Sequence, residues 1–246
     1  GETITTLMPM PDDAHAASAH VMFATSTGNV RRNALSDFVD IKANGKIAMK
    51  LEEGGERLIA VQPCTEAGDV LLAVRGGKCI RFPVTDVRVF SGRTSTGVRG
   101  IRLANGDEVI SMSILRHADF SVEERSAFLR LQRQKRGETE ADVETAAEPE
   151  AEEAPAATSA VTLSKERIAE MEAMQEFLLA ITEKGFGKRS SAYEYRIAGR
   201  GGQGIANIDV TDKNGPVVAS FPVGEKDHIV LVTDGGQLIR CPVHDI

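Results

Sequence analysis

Arginine recurs at a fixed distance from glycine along this chain. Gly28, Gly77, Gly185 and Gly236 are each followed four residues later by Arg32, Arg81, Arg189 and Arg240, and nine residues later by Asp37, Asp86, Glu194 and Asp245. Further bases gather at the same points: Arg31, Lys78 and Lys188 near the repeated arginine, Lys46, Lys50, Arg99 and Arg102 on a second glycine-led run, and Arg93 and Arg200 ahead of glycine-rich turns. Cations delivered at even spacing suit the neutralisation of a line of phosphates, in which each contact releases condensed counterions without reading sequence. Glycine turns add bare backbone N–H groups that can approach a phosphate closely. An exposed Arg–acid pair contributes only about 0–1 kcal/mol, so pairing of Arg81 with Asp86, five residues on, is a weak reason for the repetition. The four acids are read instead as turn-setting residues.

Other chemistries find little support. Cys64, Cys79 and Cys241 are scattered without CxxC spacing, and the five histidines show no paired-ligand spacing, so neither a zinc site nor a disulfide framework is expected and a reducing cytoplasm fits. No carboxylate pair or histidine cluster recurs at positions that would suit a catalytic channel. Aromatic residues are 4% of the chain with no Trp, too few for the stacking platforms that single strands need. Phe38, Phe82, Phe186, Tyr193 and Tyr195 are expected to pack blades. With no recognition helix or zinc finger, duplex DNA held by its backbone is the expected partner, and a protein-binding propeller is the rival. No apolar run approaches the roughly 20 residues that span a bilayer, so no membrane role is expected. The net charge of −7 is unevenly placed: residues 118–176 hold 15 acids against 7 bases, and the remainder holds 21 against 22.

The elements that must position these cations form a repeat. Short β-rich runs at Val21–Thr25, Leu71–Val74, Leu179–Thr182 and Ile229–Thr233 each lead into a glycine turn, and a second β run follows, as in a hairpin. A second glycine then opens a third run at Gly45–Leu51, Gly97–Leu103 and Gly204–Val210, with Ile47, Met49 and Leu51 on one side; a fourth run comes at Leu58–Val61, Val109–Met112 and Val217–Phe221. The first two turn glycines lie 49 residues apart and the last two 51, which is propeller-blade periodicity. The expected fold is therefore all-β, with blades over 1–117 and 177–246, three of them full and the fourth half present, in a chain that reads as part of a longer one. Residues 118–176 break the pattern. Ser121-Val-Glu-Glu reads as a helix start, Phe128, Leu129 and Leu131 supply an apolar stripe, residues 138–158 carry eight acids and read as disordered, and Ser164 through Phe177 reads as a second helix.

The run Thr94-Ser-Thr-Gly-Val-Arg-Gly-Ile-Arg-Leu103 closely resembles a stretch of the C-terminal domain of the DNA gyrase A subunit, and Asn44–Lys50 and Gly185–Arg189 resemble it too. The equivalent domain of topoisomerase IV is similar. The resemblance covers nearly all of the chain outside 118–176. It implies a β-pinwheel, a propeller-like disc whose blades exchange a strand. It implies a basic rim that wraps duplex DNA and gives the enzyme its chiral wrap for ATP-dependent negative supercoiling. In the topoisomerase IV alternative, the domain bends DNA without strong wrapping. The implied partners are the rest of the gyrase A subunit, with the gyrase B subunit, in an A2B2 holoenzyme in a bacterial cytoplasm. No cofactor is implied for this domain, because ATP and Mg act elsewhere in the holoenzyme. The family's Gln-Arg-Arg-Gly-Gly-Lys-Gly-like box is not matched closely; Gly199-Arg-Gly-Gly-Gln-Gly204 looks like a degenerate copy.

Overall fold

The computed structural model describes residues 4–10, 18–39, 41–137 and 161–246. The thirteen strands among them form four sheets that follow the sequence repeats. In the first blade, β1 (His20–Thr25) and β2 (Asn29–Ala34) make the glycine hairpin, and β3 (Leu58–Cys64) pairs with β1. The second blade repeats this with β4 (Gly68–Val74), β5 (Lys78–Pro83) and β7 (Val109–Arg116). The third has β8 (Phe177–Thr182), β9 (Gly187–Ser191) and β11 (Val217–Val223), and the fourth has the hairpin β12 (His228–Val232) and β13 (Leu238–Pro242).

The remaining strand of each four-stranded blade comes from the next repeat. The short β6 (Val98–Arg99) of the second repeat pairs with β2 of the first, and β10 (Ile205–Ala206) of the third pairs with β5 of the second. The turn glycines sit at these joints. A Cβ on Gly97 would strike the Val30 carbonyl and one on Gly204 the Cys79 carbonyl, and both residues have positive φ. Strand exchange also corrects the expectation for Gly45–Leu51, which is not a strand. Its partner would be the second strand of a preceding blade, and the described residues contain none. Ala48 and Met49 instead pack against the Phe23–Leu35–Phe38 cluster, while Ile47 is 68% exposed. The expected runs at 97–103 and 204–210 shrink to two paired residues each.

Blades stack face to face. Met22, Val30, Leu72, Ile80 and Phe82 join the first to the second; Leu71, Cys79, Leu115, Leu178 and Tyr195 join the second to the third; Leu179, Ile181, Ile229 and Val243 join the third to the fourth. Each such side chain contributes roughly 1.5–3 kcal/mol on full burial, so each seam is held by several. The second strand of every hairpin ends in a 3₁₀ turn: Leu35–Phe38, Val84–Asp86, Ala192–Glu194 and Val243–Asp245.

Two helices fall between β7 and β8. α1 (Val122–Arg136) starts at a capping box in which Ser121 and Glu124 exchange bonds, and it stops at Gly137 with φ 74°. α2 (Lys165–Met174) is capped by Ser164 and ends three residues before Phe177, which opens β8. Phe128 and Met171 close onto Phe120 and Tyr193, and the Tyr193 hydroxyl donates to Met171 O at 2.9 Å. The hairpin is thereby rooted on the third blade's 3₁₀ turn. The segment read as disordered, 138–158, lies outside the described residues.

Candidate nucleic-acid interface

The repeated arginines are not an exposed ring. Arg32, Arg81 and Arg189 lie on strand faces that meet the next blade, and the seam takes up their donors. Arg81 is 3% exposed; its Nε and Nη2 lie 2.9 and 2.8 Å from the buried carboxylate of Asp69, its Nη1 donates to Ala192 O at 2.8 Å and its Nη2 to Arg116 O at 3.0 Å. Asp69, not Asp86, is therefore its acid, and the second carboxylate oxygen of Asp69 meets His117 Nδ1 at 2.7 Å. Arg189 repeats the arrangement one blade on: its Nη1 donates to Val243 O at 3.1 Å and to Glu225 at 3.2 Å. Ala192 and Val243 both open a 3₁₀ turn, so the arginine of one blade pins the turn of the next. Arg32 is buried with Nη1 3.2 Å from Glu66, in the turn that leads into the second blade. Arg31 is also buried, bonded to Asn33 and to the carbonyls of Arg93, Ser95 and Ala48. Burial, with a smaller push from the positive charge of Arg93, lowers its pKa.

Against the exposed rim expected of them, Arg31, Arg32 and Arg81 are buried and the Arg189 side chain is 19% exposed. Arg240 alone of the four repeated arginines is exposed and unpaired among the described residues. The acids behave as turn-setters where their bonds are seen: Glu194 accepts from Ser191 N at 3.2 Å within its 3₁₀ turn. Phe38, Phe82, Tyr193 and Tyr195 are buried blade residues, but Phe186 is 43% exposed, because it stands in the β8–β9 turn.

The accessible cations are a different set. Lys46, Lys50, Lys78, Arg99, Arg102, Lys188, Arg200 and Arg240 are exposed and Arg93 is half-buried. Lys188 lies 3.7 Å from Glu194. Lys46 and Lys50 ride on the segment that covers the first blade. The joint between the second and third blades assembles the largest group. There the glycine-rich loop Gly199–Gly204 lies against Arg99–Arg102: Gly201 N donates to Gly100 O at 2.6 Å and Arg102 N to Gly202 O at 2.8 Å. Arg200 folds back, Nε to Asp86 O at 2.9 Å and Nη1 to Arg99 O at 3.1 Å. β10 places Ala206 opposite Lys78.

Two hollows result, of about 670 and 580 Å³, which share Lys78 and Gln203. Arg196 and the glycine loop line the larger, and Arg102 the smaller. Each also has one acid, Asp209 and Asp107 respectively; the Asp107 carboxylate is taken up by the backbone N–H groups of Gly76 and Glu108. No aromatic side chain lines either hollow, so the surface offers charge and N–H donors rather than stacking. Arg196 and Gln203 were missed by sequence reasoning. For Arg196 a signal existed: Arg88 and Arg196 both stand eleven residues after their turn glycines, Gly77 and Gly185. Gln203 carried none.

Stacked four-stranded blades that trade a strand with their neighbour define a β-pinwheel, a class of propeller-like domains. The family profile described as "DNA gyrase C-terminal domain, beta-propeller" matches residues 19–65, 69–116, 176–223 and 227–246, one stretch per repeat, and leaves the helical hairpin outside. The chain belongs to this family. It is 50% identical to the DNA gyrase A subunit of Granulibacter bethesdensis over 249 residues, covering 99% of this chain and 26% of that one. It is 46% identical over 246 residues to the DNA gyrase A subunit of Rickettsia bellii, again covering 26% of that chain. The chain thus spans about a quarter of the length of these relatives. The fold is also that of the C-terminal domain of DNA topoisomerase IV (TM-score 0.65, 15% identity, 94% of this chain and 54% of that chain) and of the DNA gyrase A C-terminal domain (TM-score 0.59, 20% identity, 91% and 55%).

Proposed function

We propose that this domain binds duplex DNA through exposed bases at its blade joints and bends the duplex along them. In the whole enzyme that bend is a chiral wrap which directs ATP-dependent negative supercoiling. The observation that carries the reading is the second–third joint, where Lys78, Arg102 and Arg196 line hollows beside a glycine-rich loop and Arg99 lies against Gly201 of that loop, with no stacking ring in either hollow. Such a surface recognises a phosphate backbone and no particular base. Bending 20–30 base pairs by 40–90° costs on the order of 1–6 kcal/mol, so several contacts must form together. The partners in this reading are duplex DNA, the rest of the gyrase A subunit, with the gyrase B subunit, in an A2B2 assembly in the cytoplasm. This domain itself holds no cofactor, and ATP and Mg act elsewhere in that assembly.

The test is a topology assay joined to a salt titration. Relaxed circles are incubated with the domain, nicked, ligated and resolved on a gel; trapped positive writhe is the expected result. Replacing Lys78, Arg99, Arg102 and Arg196 by serine is expected to remove the writhe and to flatten the slope of log K against log[salt] by about 3.6, at roughly 0.9 per lost phosphate contact. Bending without writhe would reduce the proposal to simple bending. An unchanged slope in the quadruple variant would refute it.

A further inference from the structure

The loop that carries the second repeat toward its exchanged strand, residues 90–96, hangs from two side chains of the first blade. Arg31 and Asn33 share one face of β2, and both have 0% exposure. Asn33 Nδ2 donates to Phe90 O at 2.7 Å and to Gly92 O at 3.2 Å. Arg31 Nη1 donates to Arg93 O and to Ser95 O, each at 2.8 Å, and its Nε ties back to Asn33 Oδ1 at 2.8 Å. Four carbonyls of one short loop are thus held from below. No carboxylate pairs with Arg31 among the described residues; its charge meets carbonyl dipoles and the Phe23 ring, 4.8 Å away. A buried cation without a counter-ion is costly, which makes ordinary packing a poor account of its presence.

The second joint holds its loop in another way. There Ile80 occupies the place of Arg31, 49 residues on, and lines the hollow with Gly202. The loop's own arginine, Arg200, donates to the carbonyls of Asp86 and Arg99. Arg93, its counterpart in the first joint, has no such duty: its Nη1 is buried from solvent and has no hydrogen-bond partner. Because Arg31 and Asn33 hold the loop, Arg93 donates to none of its carbonyls, and the part of its half-buried side chain that meets solvent is left for an outside anion.

We infer that Arg31 and Asn33 are positioning residues which fix the 90–96 loop so that Arg93 can bind a DNA phosphate. The inference rests on the DNA-binding reading above. Arg31 acts on DNA without touching it.

The test is a double-mutant cycle in the full-length gyrase chain that carries this domain, read as duplex affinity across a salt series. Arg93→Ala is expected to weaken binding about tenfold and to lower the salt slope by about 0.9, the loss of one phosphate. Arg31→Met is expected to reproduce both changes, and the double variant to bind no more weakly than either single one. Arg31→Lys should resemble Arg31→Met, since one ammonium cannot span the carbonyls of Arg93 and Ser95 together with Asn33. A merely structural Arg31 would leave the salt slope alone or give losses that multiply in the double variant; either result overturns the inference while the DNA reading stands. If Arg93→Ala binds like the parent, the phosphate role of Arg93 falls and the inference with it, while the serine quadruple variant still reports on the other joint. Should Arg31→Met lose its cooperative melt, Asn33→Ser, which removes the bonds to Phe90 and Gly92 and the acceptor of Arg31 Nε but leaves Arg31 Nη1 on Arg93 O and Ser95 O, takes its place in the same cycle under the same criteria.

Discussion

Arg81→Met separates a seam arginine from a DNA-contacting one. The substitution keeps most of the side-chain volume and deletes the guanidinium. It strands the Asp69 carboxylate, which has 0% side-chain exposure and then keeps only His117, and it frees two carbonyls, Ala192 O and Arg116 O. Removing one partner of a buried pair costs about 3–5 kcal/mol. At roughly 2–4 °C per kcal/mol for a domain of this size, the melting temperature should fall by about 6–20 °C. The double variant Arg81→Met/Asp69→Leu should recover part of the loss, because the unpaired carboxylate is gone while Arg116 O and Ala192 O still miss the guanidinium, Ala192 O keeping Tyr195 N. The assay is a urea or thermal melt read beside hydrogen exchange, with protection expected to fall on both sides of the seam, at β5 and at Ala192–Glu194. The salt slope of DNA binding, measured below the melt, should not move. A melting temperature within a degree of the parent's would show that the arginine does not pin the neighbouring blade, and a flattened salt slope would show that it reaches phosphate after all.

The other predictions are shorter. Gly204→Ala pushes a methyl group into the Cys79 carbonyl at positive φ and should cost at least 1–3 kcal/mol, on the order expected for a strained position; a melt within about 0.5 kcal/mol of the parent would contradict the exchange joint. Ser121→Ala removes the α1 capping box and should cost about 1 kcal/mol, visible as faster exchange in the first turn of α1. Burial pushes the thiols of Cys64 and Cys79 up to about 12, so at pH 8 native alkylation should label Cys241 first and leave those two until the blades open; early labelling of Cys79 would mean that the second–third seam is loose.

The repeat itself was legible, because the turn glycines and the hairpins around them are local in sequence. The role of the repeated arginine was also within reach, through period two. On β5, Ile80 and Phe82 point to one face and Cys79 and Arg81 to the other, and a strand apolar on both faces is covered on both. Arg81 shares its face with Cys79 and so must be covered too. Read as an isolated cation, it looked like a rim residue. Strand exchange was not legible from these residues alone. Nothing in Gly97–Leu103 says that Val98 and Arg99 pair with Val30 and Asn29 of the previous repeat, since that pairing is set by which blade stands next to which. Gly45–Leu51 has the same alternation as its counterparts and no strand to join among the described residues. The helix starts at Ser121 and Ser164 were readable from capping chemistry, but the docking of Phe128 and Met171 on Tyr193 was not, because it joins residues far apart in the chain.

β5 shows why repetition and exposure must be read separately. Its residues repeat because the hairpin repeats, and within six residues it carries two cations of opposite fate. Lys78 leaves the glycine turn at the strand's open end, next to the exchanged β10, where no neighbouring sheet face covers it. Arg81, three residues on, faces the third blade and spends its donors on Asp69 and two carbonyls. A fixed spacing from glycine suits the seam: Arg81 and Arg189 each reach the first carbonyl of the next blade's 3₁₀ turn, and Arg32 reaches Glu66 in the turn that leads into the second blade. DNA follows phosphates rather than a repeat, and the cations that meet it need only lie along one path. In the reading proposed above they come from exposed positions at the joints: Lys78 where the first repeat has Asn29, Arg99 where the third has Ala206, and Arg93 and Arg200, each four residues before its second glycine. Repetition from glycine thus does not sort these charges, since Arg81 is repeated and buried while Arg196 shares its offset with Arg88 and is exposed; cover by the next blade does.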